Sequence, residues 1–105
     1  MLQITAAQQE AVARDYRKRL AVRLANTAGV PHETPRFRSY VEEAVQAGVH
    51  IERDVAELAL LLKQIDDSGR RPKPVTERLQ DPQVSGDLKV FQVRYAWRKA
   101  QGLVP

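Results

Sequence analysis

The chain has 105 residues, 43% of them hydrophobic and 29% charged, which suits one small globular domain and not a disordered segment. It contains no cysteine, so disulfides, thiolate metal sites, iron–sulfur clusters and cysteine nucleophiles are excluded. Seventeen Lys and Arg against thirteen Asp and Glu give a formal charge of +4, an excess that by itself points toward nucleic acid.

The hydrophobic periodicity predicts a small all-α bundle of about four helices, a single domain over residues 1–105 with a proline-containing linker before the last helix. Helix one is expected over about 6–27. Thr5 followed by Gln8 has the spacing of a capping box, and Val12, Tyr16, Leu20 and Leu24 recur every four residues as one apolar stripe. Gly29 and Pro31 close it. Helix two is expected over about 35–47, with Thr34 as N-cap and Pro35 at the first helical position. Phe37, Tyr40, Val41, Ala44 and Val45 form its buried face, and Gly48 is the residue just past its end, with Val49 folding back on the last turn.

Helix three is expected over about 51–66, with Glu52 and Asp54 in its first turn, where negative charge meets the positive helix end. Val55, Leu58, Ala59, Leu62 and Ile65 make its stripe and Leu60 and Leu61 widen it, which marks the central helix. Residues 69–85, with Pro72, Pro74 and Pro82, read as a linker that holds a short helical turn at Val75–Gln80. The last segment is ambiguous. Phe91, Val93, Tyr95 and Trp97 alternate as in a strand, whereas Leu88, Phe91 and Tyr95 recur at helical spacing after the Ser85-Gly86-Asp87 start signal. A lone strand finds no partner in this chain, so a helix over 86–101 is favoured.

The net charge hides its layout. Residues 1–40 hold seven basic and three acidic side chains, residues 41–70 three and seven, and residues 71–105 seven and three, giving +4, −4 and +4. That alternation speaks against nucleic acid as the partner, since such binders concentrate positive charge on one continuous surface. No phosphate-binding glycine loop and no nucleophile elbow is present. His50 and Asp54 have the spacing of a two-ligand metal site, but two ligands are a weak signal and helix-start capping accounts for them. Glu42-Glu43 and Asp66-Asp67 are sequence neighbours whose side chains diverge, and they read as solvated surface. No catalytic, cofactor or metal residue is therefore assigned, and the reading is of a non-enzymatic protein.

What remains is a binding surface. Arg17, Arg19 and Arg23 on helix one, Glu52 on helix three, and Arg94, Trp97 and Arg98 near the C-terminus are the candidate partner-binding residues. Phe91 and Tyr95 are assigned to the core and Trp97 to the partner. The first five residues lack the apolar region of a signal peptide, and Leu58–Leu62 is far too short to span a bilayer, so a cytoplasmic protein without membrane contact is expected.

Three segments resemble one family. Leu2-Gln3-Ile4-Thr5-Ala6-Ala7-Gln8 is similar to its opening, and Ala47-Gly48-Val49-His50-Ile51-Glu52-Arg53-Asp54-Val55 to its central Gly-(Ile/Val)-x-x-Glu-Arg-Asp-Val signature. Leu79-Gln80-Asp81-Pro82-Gln83-Val84-Ser85-Gly86-Asp87-Leu88-Lys89-Val90 is similar to its Leu-x-Asp-Pro-x-(Leu/Val)-Ser-Gly-x-x-Lys-Val segment. The family comprises small α-helical proteins encoded beside type VI secretion effectors and their spike components. The resemblance implies an adaptor or co-chaperone that helps an effector or its chaperone load onto the spike, with an immunity protein as the alternative. It implies partners that are proteins (a secreted effector, its chaperone or a spike component) and brings no catalytic residue. Family members carry an aromatic and acidic stretch after helix three. This chain has Asp66-Asp67-Ser68-Gly69-Arg70-Arg71-Pro72 there, read as an exposed loop that sets partner specificity.

Overall fold

The computed structural model describes residues 6–103, with side chains over 14–103. The described residues form α1 (Ala6–Thr27), a 3-10 turn (Pro31–Glu33), α2 (Thr34–Gln46), α3 (Glu52–Asp67), α4 (Lys73–Gln80) and α5 (Gly86–Ala100). No strand occurs among them, so the fold is all-α and the last segment is helical. There are five α-helices among the described residues where about four were expected. The extra one, α4, occupies the middle of the segment read as a linker over 69–85. Pro72 is its N-cap residue and Pro74 lies in its first turn, where a missing amide hydrogen costs nothing. Val75 and Leu79, one turn apart, are both buried, and that burial turns a marginal eight-residue helix into a fixed element.

Local signals at the helix ends are mostly met. After α2, Gly48 N–H donates to the Val45 carbonyl at 3.0 Å and Val49 N–H to the Ala44 carbonyl at 3.2 Å. Gly48 has φ +95°, a left-handed conformation that favours glycine, and Val49 is buried. Thr34 is not the N-cap of α2. It is already helical, because the 3-10 turn runs straight into α2, and its hydroxyl donates back to the Pro31 carbonyl at 2.7 Å. The Thr5–Gln8 capping box and the Val12 side chain lie outside the described residues.

The core follows the predicted stripes. Leu20 and Leu24 of α1, Phe37, Tyr40, Val41 and Ala44 of α2, and Val55, Leu58, Ala59, Leu61, Leu62 and Ile65 of α3 are buried together. Tyr16 is half-buried, and Leu60 departs from the expectation by facing outward. Helix α3 is central as expected, packing on α1, α2 and α5. Helices α4 and α5 pack on each other, and the pair reaches the rest of the molecule through α5, on α3 and on the turn after α2.

Two contacts fix that pair. The first is a close backbone approach. A Cβ added at Gly86, the first residue of α5, would stand on the Gly48 carbonyl, so both motif glycines serve the same junction. The second is Lys89, whose side chain is only 1% exposed. Its ammonium donates to the carbonyls of Arg78 at 3.0 Å, Leu79 at 2.8 Å and Asp81 at 2.6 Å. These carbonyls belong to the last turn of α4 and its C-cap residue, where no further helical turn follows; those of Arg78 and Asp81 also accept the N–H groups of Asp81 and Val84. Burial pushes the Lys89 pKa below the ordinary lysine range, and the Asp81 charge opposes that shift. Asp81 also accepts the Gln83 N–H on its own carboxylate at 2.9 Å, which turns the chain toward Pro82 and α5. Lys89→Met keeps the apolar stem and removes all three donors. It is expected to lower the unfolding free energy in urea by about 2–3 kcal/mol, while the exposed control Lys99→Met stays within about 0.5 kcal/mol.

Candidate functional site

Several charged candidates turn inward, onto other helices of the same chain. Arg17 donates from Nε to Glu42 at 2.8 Å, joining α1 to α2. Arg23 and Glu52 are hydrogen-bonded to each other across α1 and α3. Arg19 pairs with Asp15 one turn earlier at 3.1 Å, with both side chains exposed. Part of the basic charge of helix one is thus paired with carboxylates of this chain.

The Asp66–Pro72 segment departs further from expectation. Arg71 is a two-sided clamp. Its guanidinium donates to both Asp66 carboxylate oxygens, at 3.0 and 2.9 Å, and to both Glu43 oxygens, at 2.8 and 3.2 Å. The Tyr40 hydroxyl donates to Asp66 at 2.7 Å; burial first and the Asp66 carboxylate second push the phenol pKa up, so it stays a donor. Asp67 is held by Arg36 at 2.6 Å and by Lys63 at 2.6 Å. Asp66, Asp67 and Glu43 are therefore members of an ion-pair network tying α2, the end of α3 and the following loop, and the reading of these pairs as merely solvated surface is corrected. Burial raises the Asp66 pKa, but the bonds from Arg71 and Tyr40 outweigh it and hold the carboxyl below its usual range. Lys63 and then Arg36 do the same for Asp67.

Helix α5 is different. It carries two apolar stripes on opposite sides. Val90, Val93 and Ala96 are buried, and with them Lys89. Leu88, Phe91 and Tyr95 are exposed at 50%, 62% and 42%. Phe91 and Tyr95 lie against one another, with ring centroids 6.5 Å apart and planes inclined at 21°. Trp97 is half-buried and packs against the core. Phe91 and Tyr95, assigned to the core, are thus exposed instead, while Trp97, assigned to the partner, is half-buried and lines a surface groove. The inner face also carries the large Lys89 side chain, so the outer row is not excluded by size alone.

Arg94, Trp97 and Arg98, predicted together, do come together. They line a shallow groove of about 260 Å³ whose other wall is Glu57, Leu60, Leu61 and Gln64 of α3. Leu60 is 43% exposed there. Neither Arg94 nor Arg98 has an ion-pair partner among the described residues. Sequence reasoning named these two arginines but missed the row beside them. The signal was available: Lys89, Val93 and Ala96 share one helical face, so Leu88, Phe91 and Tyr95 fall opposite.

No group of three or more His, Asp or Glu side chains able to hold a metal ion occurs among the described residues, and His50 is exposed. No helix among them is long and apolar enough to cross a membrane. Comparisons with protein-family models, with curated proteins and with solved structures find no match to this chain.

Two outcomes are expected. Phe91→Ala and Tyr95→Ala change thermal stability by no more than about 0.5 kcal/mol, whereas Trp97→Ala, which opens the packing between α5 and the core, costs about 2 kcal/mol or more. Carboxylates with depressed pKa values stabilise the fold above their unfolded pKa, and that contribution disappears as pH falls through the lower folded value. Arg71→Met is therefore expected to be less stable than the parent by about 1–3 kcal/mol at neutral pH. The gap should close below about pH 4, as read from melting curves across pH.

Proposed function

We propose that the chain is a non-enzymatic, protein-binding accessory factor acting in the cytoplasm, an adaptor or co-chaperone that helps a type VI secretion effector or its chaperone reach the spike. The observation that carries the protein-binding part is the exposed row Leu88, Phe91 and Tyr95 beside the unpaired Arg94 and Arg98. Aromatic side chains and arginine are the residue types that anchor protein interfaces. The secretion setting rests on the three motif segments alone. Two of them, around Gly48 and over Leu79–Val90, have a physical explanation in the junction of α5 with the end of α2, so they speak for a shared fold before a shared partner. For the immunity alternative, the acidic side chains suited to covering a toxin's basic cleft are Glu42, Glu43, Glu52 and Glu57. Three of these face arginines of this chain, which weakens that mechanism.

Co-expression with each protein encoded beside the gene, followed by gel filtration, tests the proposal. One binary complex is expected, with Phe91→Ala lowering its yield while the free protein keeps its helical spectrum. Absence of a complex with every neighbour removes the adaptor reading, and restored growth on co-expression with a neighbouring toxin would replace it with immunity.

A further inference from the structure

We infer that the outer face of α5 docks an acidic amphipathic helix of the partner protein, an inference that rests on the protein-binding reading and gives the partner a chemistry. Leu88, Phe91 and Tyr95 sit at positions i, i+3 and i+7, so they form one ridge along α5. Around the helix circumference Arg94 and Arg98 fall between that ridge and Trp97 at the groove. A helix laid along α5 therefore meets apolar side chains at its centre and two guanidinium groups on one flank.

Charge decides the flank. Arg17, Arg23, Arg36 and Arg71 each meet a carboxylate of this chain, whereas Arg94 and Arg98 meet none among the described residues. Carboxylates on the incoming helix would supply the ion pairs that Arg94 and Arg98 lack among the described residues, and like charges there would be rejected. Glu57 on the far wall of the groove favours a basic residue at the partner's outer edge, which orients it. Geometry decides the conformation. Helix α5 has no free strand edge to extend, and ridges spaced at three and four residues accept the matching ridges of another helix. A second copy of this chain fits less well, because a two-fold contact along α5 brings the same arginines toward each other. Nucleic acid fits less well too. Phe91 and Tyr95 are stacked on each other and present a ridge with Leu88, where bases need open ring faces.

The test is a displayed library of peptides of about 20 residues, a length that forms a helix when bound, panned on the full chain. Selected peptides are then synthesised and titrated by fluorescence anisotropy. The expected peptides carry apolar residues at i, i+3 or i+4 and i+7, with Asp or Glu on one flank. Their affinity is expected to fall at least about tenfold on Phe91→Ser and on the double change Arg94→Glu with Arg98→Glu. The double variant should in turn prefer a lysine-flanked version of the same peptide. These positions lie outside the core, and unchanged circular dichroism confirms folding. Failure to enrich any peptide, enrichment of basic or unpatterned peptides, or affinity indifferent to the double variant overturns the inference. So does tighter binding of oligothymidylate than of peptide, or a dimer by light scattering that Phe91→Ser abolishes. A neighbouring protein that binds the parent and the Arg94/Arg98 double variant equally would leave the protein-binding reading standing and remove this face from it. Absence of any protein partner removes the reading itself.

Discussion

Lys89 carries a charge into the interior and holds together a part of the chain that has little else to hold it. Helix α4 has eight residues and buries two apolar side chains, which is too little for a helix to persist alone. Its C-terminal carbonyls converge on one ammonium from α5, so the end of one helix is completed by the side chain of the next. A buried lysine is ordinarily costly. Here each of its three N–H groups has a main-chain acceptor, and two of those oxygens, on Arg78 and Asp81, also accept the backbone N–H groups of Asp81 and Val84. The position of α5, and everything displayed on it, follows from that grip and from the glycine contact at its first turn.

The other half of the molecule is organised by ion pairs between helices. Arg17, Arg23 and Arg71 each reach a carboxylate 25 to 29 residues away in sequence, except for the local Arg71–Asp66 bond. Such pairs add modest stability when exposed, but together they set which helix faces meet. A formal charge of +4 therefore describes composition more than surface. The uncompensated cations that matter lie on α5, the element attached by a different kind of contact.

The helices of the first two thirds were legible because their apolar residues follow one stripe each and their ends carry glycine and proline at positions with a local meaning. Gly48 is readable from sequence alone, since only the left-handed turn after α2 requires it. Its meeting with Gly86 is not readable, because nothing local says that two glycines 38 residues apart face one another. Helix α4 was half legible: Val75 and Leu79 mark a turn of helix, but Pro72 and Pro74 suggest extended chain until the start position is known. Lys89 was hidden by its own chemistry, as a lysine on a helix is taken for surface. The ion-pair network at Asp66–Arg71 was hidden for the same reason, since charged neighbours in a loop look solvated until the Glu43 face of α2 is placed beside them.

The reversal on α5 is the informative failure. Sequence reasoning ranks apolar residues by size and sends the largest to the core, yet here valine and alanine are inside and phenylalanine and tyrosine outside. The exchange is not one of size alone, because Lys89 and the half-buried Trp97 share the inner face with Val90, Val93 and Ala96, and the Gly86 contact and the Lys89 bonds turn that face inward. It also has a consequence. A helix with one apolar stripe can be satisfied by its own domain, whereas the second, opposed stripe of α5 finds no cover where, among the described residues, α5 packs on α3, α4 and the turn after α2. The outer row costs hydration free energy in the isolated chain, and no described residue covers it. An apolar row kept exposed beside two arginines without ion-pair partners among the described residues, on a firmly anchored helix, is the observation on which the proposed protein-binding role stands.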